Sequence, residues 1–102
     1  MAAPGGRIRK KPKNDDFYRA ILQLRTEEEC YSFFRDVCTQ NELRAMEQRF
    51  EVARLLTQGL VYNDILERTG ASSATISRVA RSLNDSTGGY DRVFERLTDG
   101  KL

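Results

Sequence analysis

One segment in the last third of the chain carries small hydroxyl side chains and two arginines but no acidic residue. It spans residues 71–84 and reads ASSATISRVARSLN. Hydroxyl and guanidinium groups hydrogen-bond to phosphate oxygens and to base edges, and methyl groups contact the methyl of thymine. The segment is therefore suited to contact duplex DNA. The residues that we expect to make these contacts, one of them from the preceding segment, are Asn63, Ser72, Ser73, Ala74, Thr75, Ser77, Arg78 and Arg81.

Catalysis by side chains is disfavoured, because the chain has no histidine. Histidine is the usual general base near neutral pH and the usual partner of serine and cysteine nucleophiles. The two cysteines, Cys30 and Cys38, are eight residues apart, which in a helix separates their Cα atoms by about 12 Å, too far for a disulfide. We expect both to be small buried side chains. We expect no enzyme activity, no metal site and no cofactor.

The positive charge is concentrated in two places. The formal net charge is only +2, yet residues 1–14 contain five basic residues and no acidic one, and residues 71–84 contain two arginines and no acidic one. Residues 1–14 also hold both prolines, so they are predicted to be a disordered basic arm. This arm is either an inert solvated tail or a contact for DNA phosphates. Residues 15–102 are predicted to form a single domain.

The apolar runs of the chain are too short to span a bilayer, which requires about 20 residues. No apolar stretch follows the basic N-terminus, as a secretory signal would require. We therefore expect a cytoplasmic protein without a membrane association.

Apolar residues at helical spacing predict an all-α fold with six helices. Two capping boxes, Thr26 with Glu29 and Thr39 with Glu42, mark the starts of the second and third helices. No segment shows the alternation of a strand. The predicted helices lie near 15–25, from Thr26 onward, from Thr39 to near Gly59, at about 62–68, at about 72–83 and at about 90–98.

The predicted helices are thin and amphipathic, and they bury limited surface in a single chain of this size. Along the third helix, apolar residues recur at spacings of three and four, which suits packing against another helix; they are Leu43, Met46, Phe50 and Ala53. We infer that part of the apolar surface is buried between two copies of the chain. A compact monomer is the alternative.

The two short helices have the pattern of a helix-turn-helix unit at about residues 62–83. Gly70 lies in the turn, where a backbone with positive φ favours glycine. Four apolar residues stand at the positions where the two helices share a small core; they are Ile65, Ala71, Ile76 and Val79. Ser72 is a natural N-cap for the second helix, and Leu66 departs from the small residue usual at its position. The alternative is a helical hairpin with no role in DNA binding.

The helix-turn-helix segment and its flanking helices resemble those of a known family. The run GASSATISRVARSLN, preceded by the capped long helix from Thr39, is similar to the Trp repressor superfamily, and the closing GGYDRVFERL is similar to its YerC/YecD branch. The similarity covers roughly residues 16–98. It implies an intertwined, all-helical homodimer with a shared core and two DNA-reading heads. Each head is the helix-turn-helix unit of one copy.

The resemblance also implies roles for individual residues. It places base reading at Ser73, Ala74 and Thr75, and it places a contact to the DNA backbone at Ser77. In Trp repressor, two arginines sandwich the indole of bound tryptophan, while a serine and a threonine complete the pocket. The matching positions of this possible effector pocket are Arg49, Arg78, Ser82 and Thr39.

One departure from Trp repressor concerns the residue that follows the recognition-helix arginine. Trp repressor has glycine there, which leaves room for the indole, whereas this chain has Val79. We predict that Val79 fills the pocket and packs the head directly. Binding of tryptophan would then overpack the core, at a cost of about 1–3 kcal/mol or more.

These observations favour a sequence-specific regulator of transcription that binds double-stranded DNA as a homodimer. Its operator would be an inverted repeat with half-sites about one helical turn apart, and tryptophan would not control it. The alternative is a protein-interaction module that keeps the fold without binding DNA. The low net charge and the acidic long helix support that alternative.

Overall fold

The structure is a computed structural model that describes residues 12–85 and 87–99. Its described residues form six α-helices and no strand, which confirms the all-α prediction. None of these helices is both long and apolar enough to cross a membrane. Most of the predicted basic arm, residues 1–11, lies outside the described residues. The helices are α1 (Asp15–Ile21), α2 (Glu27–Val37), α3 (Gln40–Thr57), α4 (Tyr62–Thr69), α5 (Ser73–Asn84) and α6 (Gly89–Asp99).

The helix starts follow the predicted capping chemistry. At α3, Thr39 Oγ1 accepts from the Glu42 N–H at 3.0 Å, and the Glu42 carboxylate accepts from the Thr39 N–H at 2.8 Å. At α2, the hydroxyl of Thr26 caps Glu29 in the same way. The Glu29 carboxylate, however, accepts from the Arg25 N–H at 2.8 Å. In the capping box of α2, the glutamate therefore bonds to the N–H of the residue before the N-cap threonine and not to the threonine's own N–H.

The first helix is shorter than the predicted range of 15–25. It ends at Ile21, because the N–H groups of Gln23 and Leu24 bond to carbonyls three residues back, at 3.0 and 3.1 Å. Such bonds close tight turns and do not continue an α-helix. The apolar Leu24 therefore lies in a turn that leads to the Thr26 cap.

The chain divides into two compact units, with the boundary between Val37 and Cys38. In the N-terminal unit, neither α1 nor α2 contains a buried residue. An aromatic contact joins α1 to α2, with the ring centroids of Phe17 and Phe33 6.1 Å apart. Because α2 buries nothing within one chain, Cys30 is exposed, and its predicted burial is wrong. Cys38, which follows the end of α2, is half-buried and not fully buried as predicted, and both cysteines are free thiols.

The C-terminal unit contains the hydrophobic core. Helix α3 packs against both of the short helices, α4 and α5. These three helices and the turn between the short ones contribute seven core residues, none of them more than 1% exposed. Leu56, Leu60 and Leu83 pack at its edge. From α6, the ring of Phe94 contacts that of Phe50 at 5.3 Å. The core residues are Val52, Ala53, Leu55, Ile65, Ala71, Ile76 and Val79.

Candidate nucleic-acid interface

Helices α4 and α5 form the predicted helix-turn-helix unit. Gly70 separates them with φ of 72°, and its N–H donates to the Leu66 carbonyl at 2.8 Å, which ends α4. A side chain at this backbone conformation would be strained. The four apolar residues predicted for the shared core are all at most 1% exposed. The unit is therefore built as its sequence pattern indicated.

The long helix α3 provides the platform on which this unit rests. Val52, Ala53 and Leu55 are at most 1% exposed, and they lie in the same cluster as the core residues of α4 and α5. A Schellman motif ends the platform, with the Leu60 N–H bonded to the Leu55 carbonyl at 3.2 Å across Gly59. The chain thus turns sharply from α3 into α4, and both short helices pack back onto α3.

The junction of α3, α4 and the turn also contains polar contacts that the sequence pattern did not reveal. Gln48 Nε2 donates to the Thr69 carbonyl at 3.2 Å. The Thr69 hydroxyl donates to the Ile65 carbonyl at 2.7 Å and accepts from the Ala71 N–H at 3.0 Å. The position of Thr69 directly before the turn glycine could have suggested the two bonds that its hydroxyl makes. Nothing in the sequence distinguished Gln48 from a solvated glutamine.

The N-terminus of α5 has amides that are available to a ligand. The Ser72 hydroxyl accepts from the Thr75 N–H and donates to Thr75 Oγ1, both at 3.1 Å. Ser72 is therefore committed to capping, as predicted. The N–H groups of Ser73 and Ala74 have no acceptor among the described residues. Free amides at a helix N-terminus attract phosphate oxygens.

One side of α5 faces the core and the opposite side is open. Ile76 and Val79 are buried, and at about 100° per residue they define the inward side. Ala74, Arg78 and Arg81 project from the other side, and all three are exposed. The remaining predicted contacts divide by exposure. Asn63, Ser72 and Ser73 are exposed, whereas Thr75 and Ser77 are half-buried.

The arginines of this open side are not neutralised by a described carboxylate. The ion pairs between described residues are Lys13 with Asp15, Arg19 with Asp16 and Arg54 with Glu51, and none of them involves α5. In the last of these pairs, the hydrogen bond to Glu51 raises the pKa of the Arg54 guanidinium. Arg78 and Arg81 thus remain available for phosphate or a base edge.

The family model of the Trp repressor protein matches residues 13–98. The chain belongs to the Trp repressor family. Members of this family are DNA-binding regulators and not enzymes. The match covers all six helices except the end of α6.

Two kinds of relative agree with this assignment. The uncharacterized protein YerC from Bacillus subtilis (strain 168) is 47% identical over 85 residues, which make up 83% of this chain and 82% of that protein. The crystal structure of a TrpR-like protein from Eubacterium eligens ATCC 27750 is similar with a TM-score of 0.80 and 57% identity, over 86% of this chain and 89% of that one. A structure from Staphylococcus aureus, provisionally described as a Trp repressor, also has a TM-score of 0.80, with 45% identity over 82% and 84% of the two chains. The chain therefore lies in the YerC-like branch, as its sequence predicted.

The effector positions of the Trp repressor family are only partly brought together in this chain. Arg78 and Ser82 line an open groove of about 860 Å³, together with Phe50, Tyr90 and Val93. Arg49 and Thr39 are not among its lining residues, and the Thr39 hydroxyl caps α3. The side chain of Val79 is 1% exposed and lies in the core cluster.

Proposed function

We propose that the protein is a transcriptional regulator that recognises specific sequences in double-stranded DNA through α5. The observation that carries this proposal is the open side of α5, which presents two unpaired arginines and two free first-turn amides. No acidic residue lies between residues 71 and 84 to repel phosphate. In the proposed complex, α5 enters the major groove, Arg78 and Arg81 bind phosphate or guanine, and Ser73, Ala74 and Thr75 approach the base edges.

A homodimer is the second element of the proposal. It is supported by the absence of any buried residue in α1 and α2, which leaves Tyr18 and Tyr31 about half exposed and Leu22 80% exposed. The apolar wall that Phe50, Tyr90 and Val93 give to the groove on the C-terminal unit is a further surface for a second copy. A symmetric dimer carries two recognition helices, and it would bind an inverted repeat with half-sites separated by about 34 Å.

Independence from tryptophan is the third element. A buried valine occupies the position at which Trp repressor has the glycine that admits the indole. Val79 belongs to the same buried cluster as Ile65 and Ile76, and an aromatic ring added to that cluster would overpack it. The head is then held in place by its own apolar core, and its affinity for DNA does not require bound tryptophan.

The experiment that tests this function is selection of binding sites from a random duplex pool with the full-length protein. We expect enrichment of an inverted repeat, and we expect the affinity for it to fall steeply as salt rises, because binding releases counterions from phosphates. A pool that remains unenriched at low salt would contradict sequence-specific regulation. Enrichment of a single half-site without symmetry would contradict the dimer but leave DNA recognition intact.

A protein-interaction module is the alternative function, and one observation favours it. Three apolar side chains in and directly before α4 are exposed; Val61 is 61% exposed, Tyr62 43% and Leu66 44%. An exposed apolar patch is typical of a surface that binds another protein. A stoichiometric protein partner, together with no measurable affinity for any duplex, would support the module and overturn the regulator.

A further inference from the structure

Thr69 is the residue at which α4, the turn and the long helix α3 are joined by hydrogen bonds. Its hydroxyl donates to the Ile65 carbonyl one helical turn earlier and accepts from the Ala71 N–H beyond the glycine. Its own carbonyl accepts from Gln48 Nε2 on α3. The carbonyls in the last turn of a helix have no partner within that helix. Gln48 and Thr69 therefore satisfy polar groups that the turn would otherwise leave open.

The contact from Gln48 differs in kind from the other contacts between α3 and the helix-turn-helix unit. The core contacts are apolar, and apolar attraction has no preferred direction. A hydrogen bond, in contrast, requires a narrow range of distance and angle. Among the described residues, the bond from Gln48 to Thr69 is the one side-chain hydrogen bond that joins two helices. The apolar core holds the unit on α3, whereas this bond can fix its rotation.

We propose that Gln48 and Thr69 are positioning residues, which set the orientation of the α5 N-terminus relative to the platform helix α3. The proposal rests on the proposed function, because the orientation matters for base recognition. Base contacts require the recognition helix to be placed within a fraction of an ångström. Attraction to phosphates tolerates a looser placement. Loss of these bonds should therefore weaken specific binding and leave non-specific binding almost unchanged.

Two pairs of variants of the full-length protein test this proposal. Gln48→Met keeps an unbranched side chain of similar length but removes the donor, and Gln40→Met makes the same exchange at an exposed position of α3. Thr69→Val removes the hydroxyl and keeps the branched shape, and Thr69→Ser restores the hydroxyl. The measurements are the affinities for a selected duplex and for an unrelated duplex at one salt concentration, and amide hydrogen exchange in the free protein.

We expect Gln48→Met and Thr69→Val to lower the affinity for the selected duplex by roughly three- to tenfold, the equivalent of one net hydrogen bond. The affinity for the unrelated duplex should change by less than about twofold, because no charge is altered. Exchange of the Ala71 amide should accelerate in Thr69→Val and remain near the wild-type rate in Thr69→Ser. Gln40→Met should match the wild type in every measurement.

Two results would overturn the positioning role. One is an equal loss of affinity for both duplexes, since that indicates a general effect on folding. The other is unchanged exchange at residues 70 and 71 in both disruptive variants, since that shows that the bonds do not hold the turn. Hydrogen exchange is measured without DNA, so it decides the role of Thr69 and Gln48 in the turn even if the wild type prefers no sequence. The absence of any preference in the wild type would instead overturn the proposed function.

Discussion

Some residues at and within α5 stabilise the helix, and others are available to contact a ligand. Ser72 is occupied by the Thr75 amide and hydroxyl, so it is a structural cap before it is a contact. Arg78 and Arg81 are exposed and have no described carboxylate as partner. The charge that DNA would meet on α5 therefore comes from two side chains alone.

Replacing both arginines should remove most of the affinity for DNA. For Arg78→Ala with Arg81→Ala, we expect the slope of log affinity against log salt to fall by about two, because two phosphate contacts are lost. Electrophoretic mobility shifts over a salt series measure this. The control is Arg92→Ala with Arg96→Ala, which removes the same charge from the exposed side of α6. Equal slopes for the two double variants would contradict the assignment of the α5 surface.

Val79 should stabilise the helix-turn-helix unit through its place in the buried core. Val79→Ala should lower the free energy of unfolding by about 1–3 kcal/mol, because it leaves a cavity in a close-packed core. Val61→Ala, at a residue that is 61% exposed, should change it by less than about 0.5 kcal/mol. Denaturant titration measures both.

The wild-type protein should not bind tryptophan, because Val79 fills the space that the indole would need. Calorimetric titration with millimolar tryptophan should show no heat of specific binding, and an isotherm with micromolar affinity would contradict the filled pocket.

At the scale of helices, the ends of the elements determine how the head is built. The cap of α3, the Schellman motif at Gly59 and the turn at Gly70 fix where the chain changes direction. The Thr39 and Glu42 N–H groups at the start of α3, the Leu60 N–H after its end and the Gly70 N–H after α4 all bond within the chain. The α3–α4–α5 core thus combines apolar packing with hydrogen bonds at the ends of α3 and α4, whereas the first amides of α5 stay open.

The turn between α4 and α5 should depend on glycine for its backbone conformation and not for space. No heavy atom lies within 4 Å of a Cβ built at Gly70. Gly70→Ala should therefore cost only the strain of a positive φ, about 1–2 kcal/mol of unfolding free energy, and Gly70→Asn should cost less. Gly89→Ala is the control, because Gly89 begins α6 without a positive φ. A Gly70→Ala protein as stable as the wild type would show that the turn relaxes to another conformation.

At the scale of the whole molecule, the two compact units differ in how much surface they bury. The C-terminal unit has a core of seven residues that are almost inaccessible, whereas α1 and α2 bury none. A unit whose aromatic residues are all partly exposed is poorly stabilised by one chain. The proposed dimer would supply the missing burial.

A dimer of this kind should make stability depend on protein concentration. The midpoint of thermal unfolding should rise with concentration, because dissociation and unfolding are coupled, and light scattering should give twice the chain mass. Phe33→Ser, in the aromatic cluster of the N-terminal unit, should lower the mass toward that of one chain. A midpoint independent of concentration, together with the mass of one chain, would contradict the homodimer.

Local patterns were sufficient to predict most of the helices and the core of the head. Gly70, Ser72 and the four apolar positions around them are recognisable because the requirements of a turn, a cap and a small two-helix core are local in sequence. The family followed from the same residues. The single-domain assignment of residues 15–102 and the roles of the individual DNA-contacting residues stay predictions.

The tertiary structure decided the features that depend on residues distant in sequence. The bond between Gln48 and Thr69 joins residues that are 21 positions apart, and the helical periodicity of the sequence does not predict a partner at that separation. The exposure of Cys30 and the groove beside Arg78 likewise depend on which helices pack together and which do not. The sequence by itself determined the helix-turn-helix unit and its outward chemistry, because these rest on contacts within a few turns of chain. Only the fold determined how that unit is held on α3 and which apolar faces remain open, because those depend on contacts between elements.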